Sequence, residues 1–392
     1  MKFEFSKDFV LEIALKLLDK IRSEKYVGYD PYDALNSPIL NFFSFNNKYL
    51  KIAYIQAFRR SPINFRPLFG IKRGVNPKAL GLLLEGISIL SELKILDGKK
   101  VAEEIVNLLR DLRSPGYVHY CWGYNFPWQS RVFYLPPYTP TIVNTSFIGN
   151  ALFRAFKSFG LEEYKEIALD SIFFVVEDIN RNYEDNLICF SYTPFDNTKI
   201  HNANLLGGSL LLNGHGYLKD KGLEELIHKS YGYTLKYQNG DGSWYYAQKK
   251  MQNWIDNFHT GFVLDSLLDY YNYYPSKELK EKILKGFKFY KDNFFEDDKV
   301  PKYYHNKTYP IDIHSISQSI ITLVKFSQFE NNHKLLKNIF NYMLENFYSF
   351  RKNYFYYRRG RLIVNRIDYL RWAQAWSFKS LCHLVRYLNE MC

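Results

Sequence analysis

The stretch Trp254-Ile255-Asp256-Asn257-Phe258-His259-Thr260-Gly261, continuing as Thr260 to Tyr271 (TGFVLDSLLDYY), decides how this chain folds. Polar residues open it, a small residue follows, and a long apolar run then reads as a helix buried on most sides. A break at Tyr274-Pro275-Ser276 ends that run. Lys277 to Phe295 (KELKEKILKGFKFYKDNFF) then places apolar residues at helical spacing under a charged face, the pattern of a helix with one buried stripe. An apolar helix followed by an amphipathic one reads as an inner and an outer helix of a layered ring.

The same unit recurs along the chain. Asn144-Thr145 leads to Gly149 and Leu152, and Asn202 and Asn204 lead to Gly207 and Leu210. Asp312 and His314 lead to Ser317 and Ile320, and Arg371-Trp372 to Ala375 and Phe378. Together with Gly261, these small residues stand 58, 54, 56 and 58 positions apart, and Gly81 with Leu84 precedes the first by 68. Six units result. Aromatic, strand-like stretches such as Gly242-Ser243-Trp244-Tyr245-Tyr246, Pro301-Lys302-Tyr303-Tyr304 and Tyr354-Phe355-Tyr356-Tyr357 predict a hairpin before each apolar helix.

Inner helices are expected to begin near residues 76, 142, 202, 257, 312 and 368, with outer helices near 98, 161, 220, 276 and 332. An amphipathic N-terminal helix over about 6–23 supplies the sixth outer helix and closes the ring. Residues 1–392 therefore read as one all-α (α/α)6 toroid domain with short β-hairpins preceding the inner helices, and the helix around Lys48 to Arg59 is an addition to it. Alternating connections point all inner N-termini to one face, whose free N–H groups and dipoles favour anions. The site is expected in a funnel on that face.

Composition fits this reading. The 392 residues carry 52 Lys+Arg against 40 Asp+Glu, a net charge of +12, and 18% are aromatic. That is more ring surface than a core needs, so part of it is expected to line a cleft. Hydrophobic residues at 47% exclude a disordered chain. The net charge permits nucleic acid without requiring it, and no nucleic-acid motif accompanies the densest cluster, Arg358-Arg359-Gly360-Arg361, which reads as a solvated hairpin turn. Four cysteines without a CxxC pair point away from a disulfide framework or zinc ribbon. An acidic N-terminus and the absence of a long uncharged apolar run point to a cytoplasmic chain without membrane insertion.

Candidate chemistry gathers where the inner helices start. Asp256 and His259, three apart at a helix start, face the same side, and such a pair fixes a histidine tautomer for acid–base work. N-capping by Asp256 is the plainer alternative. Asp312 and His314 occupy the same place one repeat later, and His201, Asn202 and Asn204 one repeat earlier. The loop Gly28-Tyr29-Asp30-Pro31-Tyr32-Asp33-Ala34-Leu35-Asn36-Ser37 offers Asp30 and Asp33 as an acid or base, or as turn caps. Trp122, Trp128, Trp244, Trp254 and Trp372 all fall in hairpins or inner-helix starts, where they and Tyr246 can stack on sugar faces. Gln129, Asn257 and Arg371 complete the set as hydrogen-bonding residues. No metal site is implied by the histidine spacing, and no P-loop or GxGxxG calls for a cofactor.

A toroid with a hairpin before each inner helix resembles the six-hairpin glycosidase-like superfamily. The loop Gly28 to Ser37 and the stretch DGSWYY…WIDNFHTGF (Asp241 to Phe262) resemble a family encoded among bacterial and archaeal surface-polysaccharide biosynthesis genes. Gln238-Asn239-Gly240-Asp241-Gly242-Ser243-Trp244 is also similar to the QxxDGSW repeat of triterpene cyclases, but it occurs once and without their DxDD motif. The resemblance implies a carbohydrate context with an oligosaccharide or polysaccharide substrate. Glycosidic-bond hydrolysis is the leading expectation, epimerisation or elimination at a uronic acid the second. A non-catalytic glycan-binding protein and a prenyl-binding toroid are the readings from other classes.

Overall fold

A computed structural model describes residues 3–391 of the chain. Its helices are α1 (Lys7–Ser23), α2 (Pro38–Phe42), α3 (Lys48–Arg60), α4 (Pro77–Glu92), α5 (Lys99–Asp111), α6 (Ile142–Phe159) and α7 (Glu162–Phe173). There follow α8 (His201–Leu218), α9 (Lys221–Lys236), α10 (Asn257–Tyr273), α11 (Lys277–Phe294), α12 (Ile313–Phe326), α13 (His333–Phe347) and α14 (Trp376–Glu390). The inner ring is α4, α6, α8, α10, α12 and α14: each packs on the next, and α14 returns to α4. Helices α5, α7, α9, α11 and α13 lie outside their inner neighbours, and α1 packs on α14, so the N-terminal segment covers the last inner helix. This is the (α/α)6 toroid.

The small residues of the repeat are where the inner helices touch. A methyl group added to Gly81 would lie 2.9 Å from Ile148 of α6, and one on Gly149 would lie 2.6 Å from Leu210 of α8. One on Gly261 would lie 2.7 Å from Gln318 of α12. Larger residues there would force neighbouring helices apart, at a cost of about 1–3 kcal/mol per site. The polar openings are in large part caps: Asn76, Thr141, Asp256 and Asp312 each accept backbone N–H groups of the helix they start.

Antiparallel strand pairs precede α6 (128–129 with 134–135), α8 (181–184 with 187–190), α12 (295–296 with 300–301) and α14 (348–349 with 354–355). A further hairpin, 358–359 with 364–365, adds residues 311–312 as a third strand. The stretch Gly242 to Tyr246 is not a strand. Gly242 turns the chain at φ +98°, and Trp244 is buried against Gly286 with its indole N–H donated to the Thr234 carbonyl at 2.9 Å. A side chain anchored into the outer layer takes the place of a strand partner there.

Before α4, helices α2 and α3 and the short 3₁₀ turn Asp33–Asn36 form an added layer with its own small core of Ala34, Leu35, Leu40, Ile55, Phe58 and Ile71. Buried Arg66 fastens this layer, donating to Asp33 at 2.7 Å, to the Asp30 carbonyl at 2.8 Å and to the Tyr369 hydroxyl at 2.8 Å. The last inner helix begins as a π-helical turn, Leu370–Ala375, a wider winding often found at functional positions. Among the described residues no helix is long and apolar enough to cross a membrane.

Candidate functional site

The cap of α10 and the expected acid–base pair are the same carboxylate. Asp256 Oδ1 accepts the His259 backbone N–H at 3.1 Å, while Oδ2 accepts the Trp254 indole N–H at 2.8 Å and lies 2.7 Å from His259 Nδ1. An ionised carboxylate only accepts, so the imidazole proton sits on Nδ1 and Nε2 presents its lone pair. Among the described residues Nε2 has no hydrogen-bond partner, and the His259 side chain keeps 23% of its surface open while Asp256 keeps none. The Tyr246 ring lies 4.5 Å from the imidazole and stacks on Trp254 at 4.6 Å and 12°.

These groups stand at the edge of an aromatic recess over the inner N-termini. Tyr32, Tyr124 and Tyr246 are each half-buried, yet burial pushes all three hydroxyls above the usual phenol value. Tyr246 lines a narrow crevice with Asp256 and His259, and Tyr124 and Tyr32 lie close to Tyr246. Trp128 packs on Tyr124 and Tyr192, and Trp372 lies 5.3 Å from Tyr32. The Arg59 guanidinium lies 5.0 Å over the Tyr32 ring and donates to the Tyr357 hydroxyl at 3.1 Å. Arg59 has no carboxylate partner among the described residues. The recess therefore has a positive side.

The other acidic candidates are engaged in ion pairs. Asp30 takes both arms of Arg371 at 2.6 and 2.8 Å, and Asp33 takes Arg66 at 2.7 Å while burial pushes its carboxyl up to about 6. Asp312 accepts Arg358 at 2.8 and 3.0 Å and the Trp372 indole N–H at 2.8 Å. Arg358 is thus not part of a solvated turn: its side chain is 14% exposed and paired, because the hairpin docks on the start of α12.

The remaining sequence candidates divide. His201 and Asn202 line one crevice with Tyr246, Asp256 and His259. His201 is buried between Thr234 and Gln248, and burial pushes its imidazole down to about 4. Trp244 also lines that crevice, while Trp122 is not among its lining; both are buried, with indole N–H groups donated to the Thr234 and Leu109 carbonyls. Gln129 donates to the Ser130 and Phe133 carbonyls, and Asn204 is engaged by the Phe190 amide and Ser230 carbonyl. Asn257 Oδ1 accepts the Tyr290 and Ser319 hydroxyls, while its buried Nδ2 has no hydrogen-bond partner among the described residues.

His314 lies deeper than its repeat position suggests. It is sandwiched between Phe258 at 4.3 Å and Trp376 at 4.3 Å, and neither ring nitrogen has a hydrogen-bond partner. Burial, with Lys78 and Arg371 nearby, holds it well below the usual histidine value. Lys78 is the residue sequence reading missed. It is 3% exposed, has no ion-pair partner among the described residues, and lies 4.2 Å over the Phe147 ring. Burial pushes its amine well below the usual lysine value. Register could have found it, since Lys78 stands three before Gly81 as His314 stands three before Ser317 and Trp372 three before Ala375.

The ring also holds a void away from the expected face. A cavity of about 800 Å³ is lined by all six inner helices, from Phe147, Phe262 and Gln318 down to Tyr217 and Tyr273 near their C-terminal ends. Phe147, Phe262 and Trp376 form a triangle, each pair 5.4 Å apart, between His314 and that cavity.

No protein-family model matches the chain, and no curated protein matches it in sequence. Solved structures do match in fold. An unsaturated glucuronyl hydrolase specific for heparin superposes with a TM-score of 0.65 at 13% identity, covering 99% of this chain and 98% of its own. A sugar epimerase from a ruminal bacterium gives 0.62 at 11% identity over 82% of this chain and 90% of its own. A GH76 α-mannanase of Bacteroides thetaiotaomicron gives 0.60 at 11% identity over 80% and 86%. The chain shares the (α/α)6 toroid fold of these structures.

Proposed function

We propose that this chain processes a glycan in the tyrosine-lined recess, with His259 transferring the proton and Asp256 orienting it. The observation that carries the reading is the 2.7 Å contact between Asp256 and His259 Nδ1, which leaves Nε2 open beside Tyr246. The rings of Tyr32, Trp128, Tyr246 and Trp254 offer stacking faces for sugars, and Arg59 offers a guanidinium for a substrate carboxylate. The fold is shared with enzymes whose names place them on carbohydrates. The resemblance of Gly28 to Ser37 and Asp241 to Phe262 to a family of surface-polysaccharide biosynthesis clusters supports a substrate from surface-polysaccharide metabolism.

This chemistry favours proton transfer at a uronic-acid carbon over hydrolysis by two carboxylates. Hydrolysis of that kind needs a pair of carboxyl groups flanking the bond, and Asp30, Asp33 and Asp312 are each committed to an arginine. Nε2 of His259 would take the C5 proton, and Arg59 beside the carboxylate would hold the charge that develops. The electron pair left at C5 either takes a proton on the other face, inverting the centre, or forms a C4–C5 double bond as the C4–O bond breaks. Tyr246, whose hydroxyl burial keeps protonated, supplies the proton to carbon or to the departing oxygen.

Incubation with neutral and uronic oligosaccharides in D2O, followed by mass spectrometry, separates the outcomes. A one-dalton gain at carbon without cleavage marks an epimerase, and cleavage to an unsaturated uronate without addition of water marks a lyase. Cleavage with addition of water reinstates hydrolysis. Binding of the panel without any change would leave a glycan-binding protein and overturn the catalytic reading.

A further inference from the structure

We propose that the axial cavity is a second binding site, one that takes a neutral, hydroxyl-rich sugar from the end of the ring opposite the recess. Its volume of about 800 Å³ falls within the usual range for small-molecule sites, roughly 300–1,000 Å³. Its inner end carries the rings of Phe147 and Phe262. Its walls carry Glu85, which takes Lys379 at 2.8 Å and His383 at 3.3 Å, and Asp265, which accepts Gln318 and Thr322, both at 2.8 Å. Asp269 takes Lys325 at 2.8 Å, and both line the same void.

A ring that needed only packing would fill its axis with apolar side chains, since buried ion pairs add little to stability. Here paired charges surround open space. Lys379 and His383 are both more than nine-tenths buried there. Each carboxylate keeps lone pairs, and each lysine keeps N–H groups, that the wall does not use. Alternating acceptors and donors beside an aromatic face match a sugar ring, which has hydroxyls at its edge and C–H groups on its faces.

Charge selects the class. Glu85, Glu92, Asp265 and Asp269 face Arg154, Lys157, Lys325 and Lys379, so the lining is balanced, and the inner-helix C-termini add partial negative charge. His383 adds none at neutral pH, because burial pushes it down to about 4. A polyanion is disfavoured and a neutral saccharide is not. The recess with its unpaired Arg59 has the opposite preference, so the two ends of the ring address different sugars. The proposal rests on the cavity and stands apart from the chemistry assigned to His259.

Gly216 provides the test. It lines the cavity, and a side chain begun there meets nothing within 4 Å, so Gly216→Phe projects into the void without displacing the helix. Asn272→Trp, at an exposed position of the same lining, is a second block with little demand on folding. Calorimetric titration of the full chain with cellotriose and mannotriose, and with trigalacturonate as the anion, reads the result. The expected result is saturable binding of a neutral trisaccharide that survives Asp256→Asn and weakens by about tenfold or more in both blocked variants. Neutral binding lost in Asp256→Asn and kept in the blocked variants would move the sugar to the recess and overturn the proposal. Equal binding of trigalacturonate with the same sensitivity to the blocks, or no neutral binding up to about 10 mM, would overturn it as well.

Discussion

Asp256 Oδ2 lies 2.7 Å from the Nδ1 of His259 while its Oδ1 caps the helix that carries His259. One carboxylate therefore sets where α10 begins and which nitrogen of the imidazole is free. Two requirements on one side chain make capping and chemistry separable by substitution, because asparagine satisfies the first and not the second.

Asp256→Asn should leave the fold nearly unchanged, since Asn caps helices about as well as Asp. It should lower turnover by about 10²–10⁴, the usual weight of a positioned acid–base group. His259→Ala should do the same without loss of the cap. Thermal melts beside turnover of the responsive oligosaccharide read both effects, and full activity in either variant would remove the pair from the mechanism.

Arg59→Gln tests the positive side of the recess. A hydrogen bond to a charged partner is worth about 1.5–3 kcal/mol, so affinity for an acidic oligosaccharide should fall by about 10–100-fold. Affinity for the neutral analogue should move far less, because within the protein Arg59 gives up its hydrogen bond to the Tyr357 hydroxyl and its place over the Tyr32 ring, neither of which reads substrate charge. Equal losses for both sugars would mean that Arg59 supports the recess and does not read charge.

The ring was legible because its signal is local and repeated. Gly81, Gly149 and Gly261 stand at a fixed place in each unit, and each meets the neighbouring inner helix. The pair Asp256 and His259 was legible for the same reason, three residues apart on one helix start. Ion pairs such as Asp30 with Arg371, 341 positions apart, carry no local pattern, so two carboxylates that look free in the loop Gly28 to Ser37 are joints of the added layer. The axial cavity escaped notice because its lining comes from the later turns of six helices, where a buried Glu85 or Asp265 reads as an interruption of an apolar run.

Breaking one such joint should be costly. Asp30→Ala leaves Arg371, itself 3% exposed, without its carboxylate, and stranding a buried charge costs about 3–5 kcal/mol. Adding Arg371→Met should recover a large part of that loss, because the stranded charge is gone. Urea unfolding of the two single variants and the double variant measures the coupling, and additive losses would show that the pair does not hold the layer to the ring.

Acid stability should depend on His201. Burial holds its imidazole at about 4 in the folded chain against 6.5 when exposed, so the unfolded chain binds a proton between those values that the folded chain does not. Unfolding is then favoured as protons are added: the contribution is fully present above about 6.5, shrinks as pH falls, and is gone near 4. A displacement of that size corresponds to about 3 kcal/mol at most. His383, also pushed down to about 4, titrates over the same window and adds to the fall. His201→Gln removes one proton from this balance while keeping a side chain that can still hydrogen-bond Thr234 or Gln248. Urea midpoints at pH 7.5 and pH 4.5 should therefore lie closer together in His201→Gln than in the wild type. An unchanged gap would mean that His201 takes up its proton without unfolding the chain, and that the buried contacts to Thr234 and Gln248 yield before the fold does.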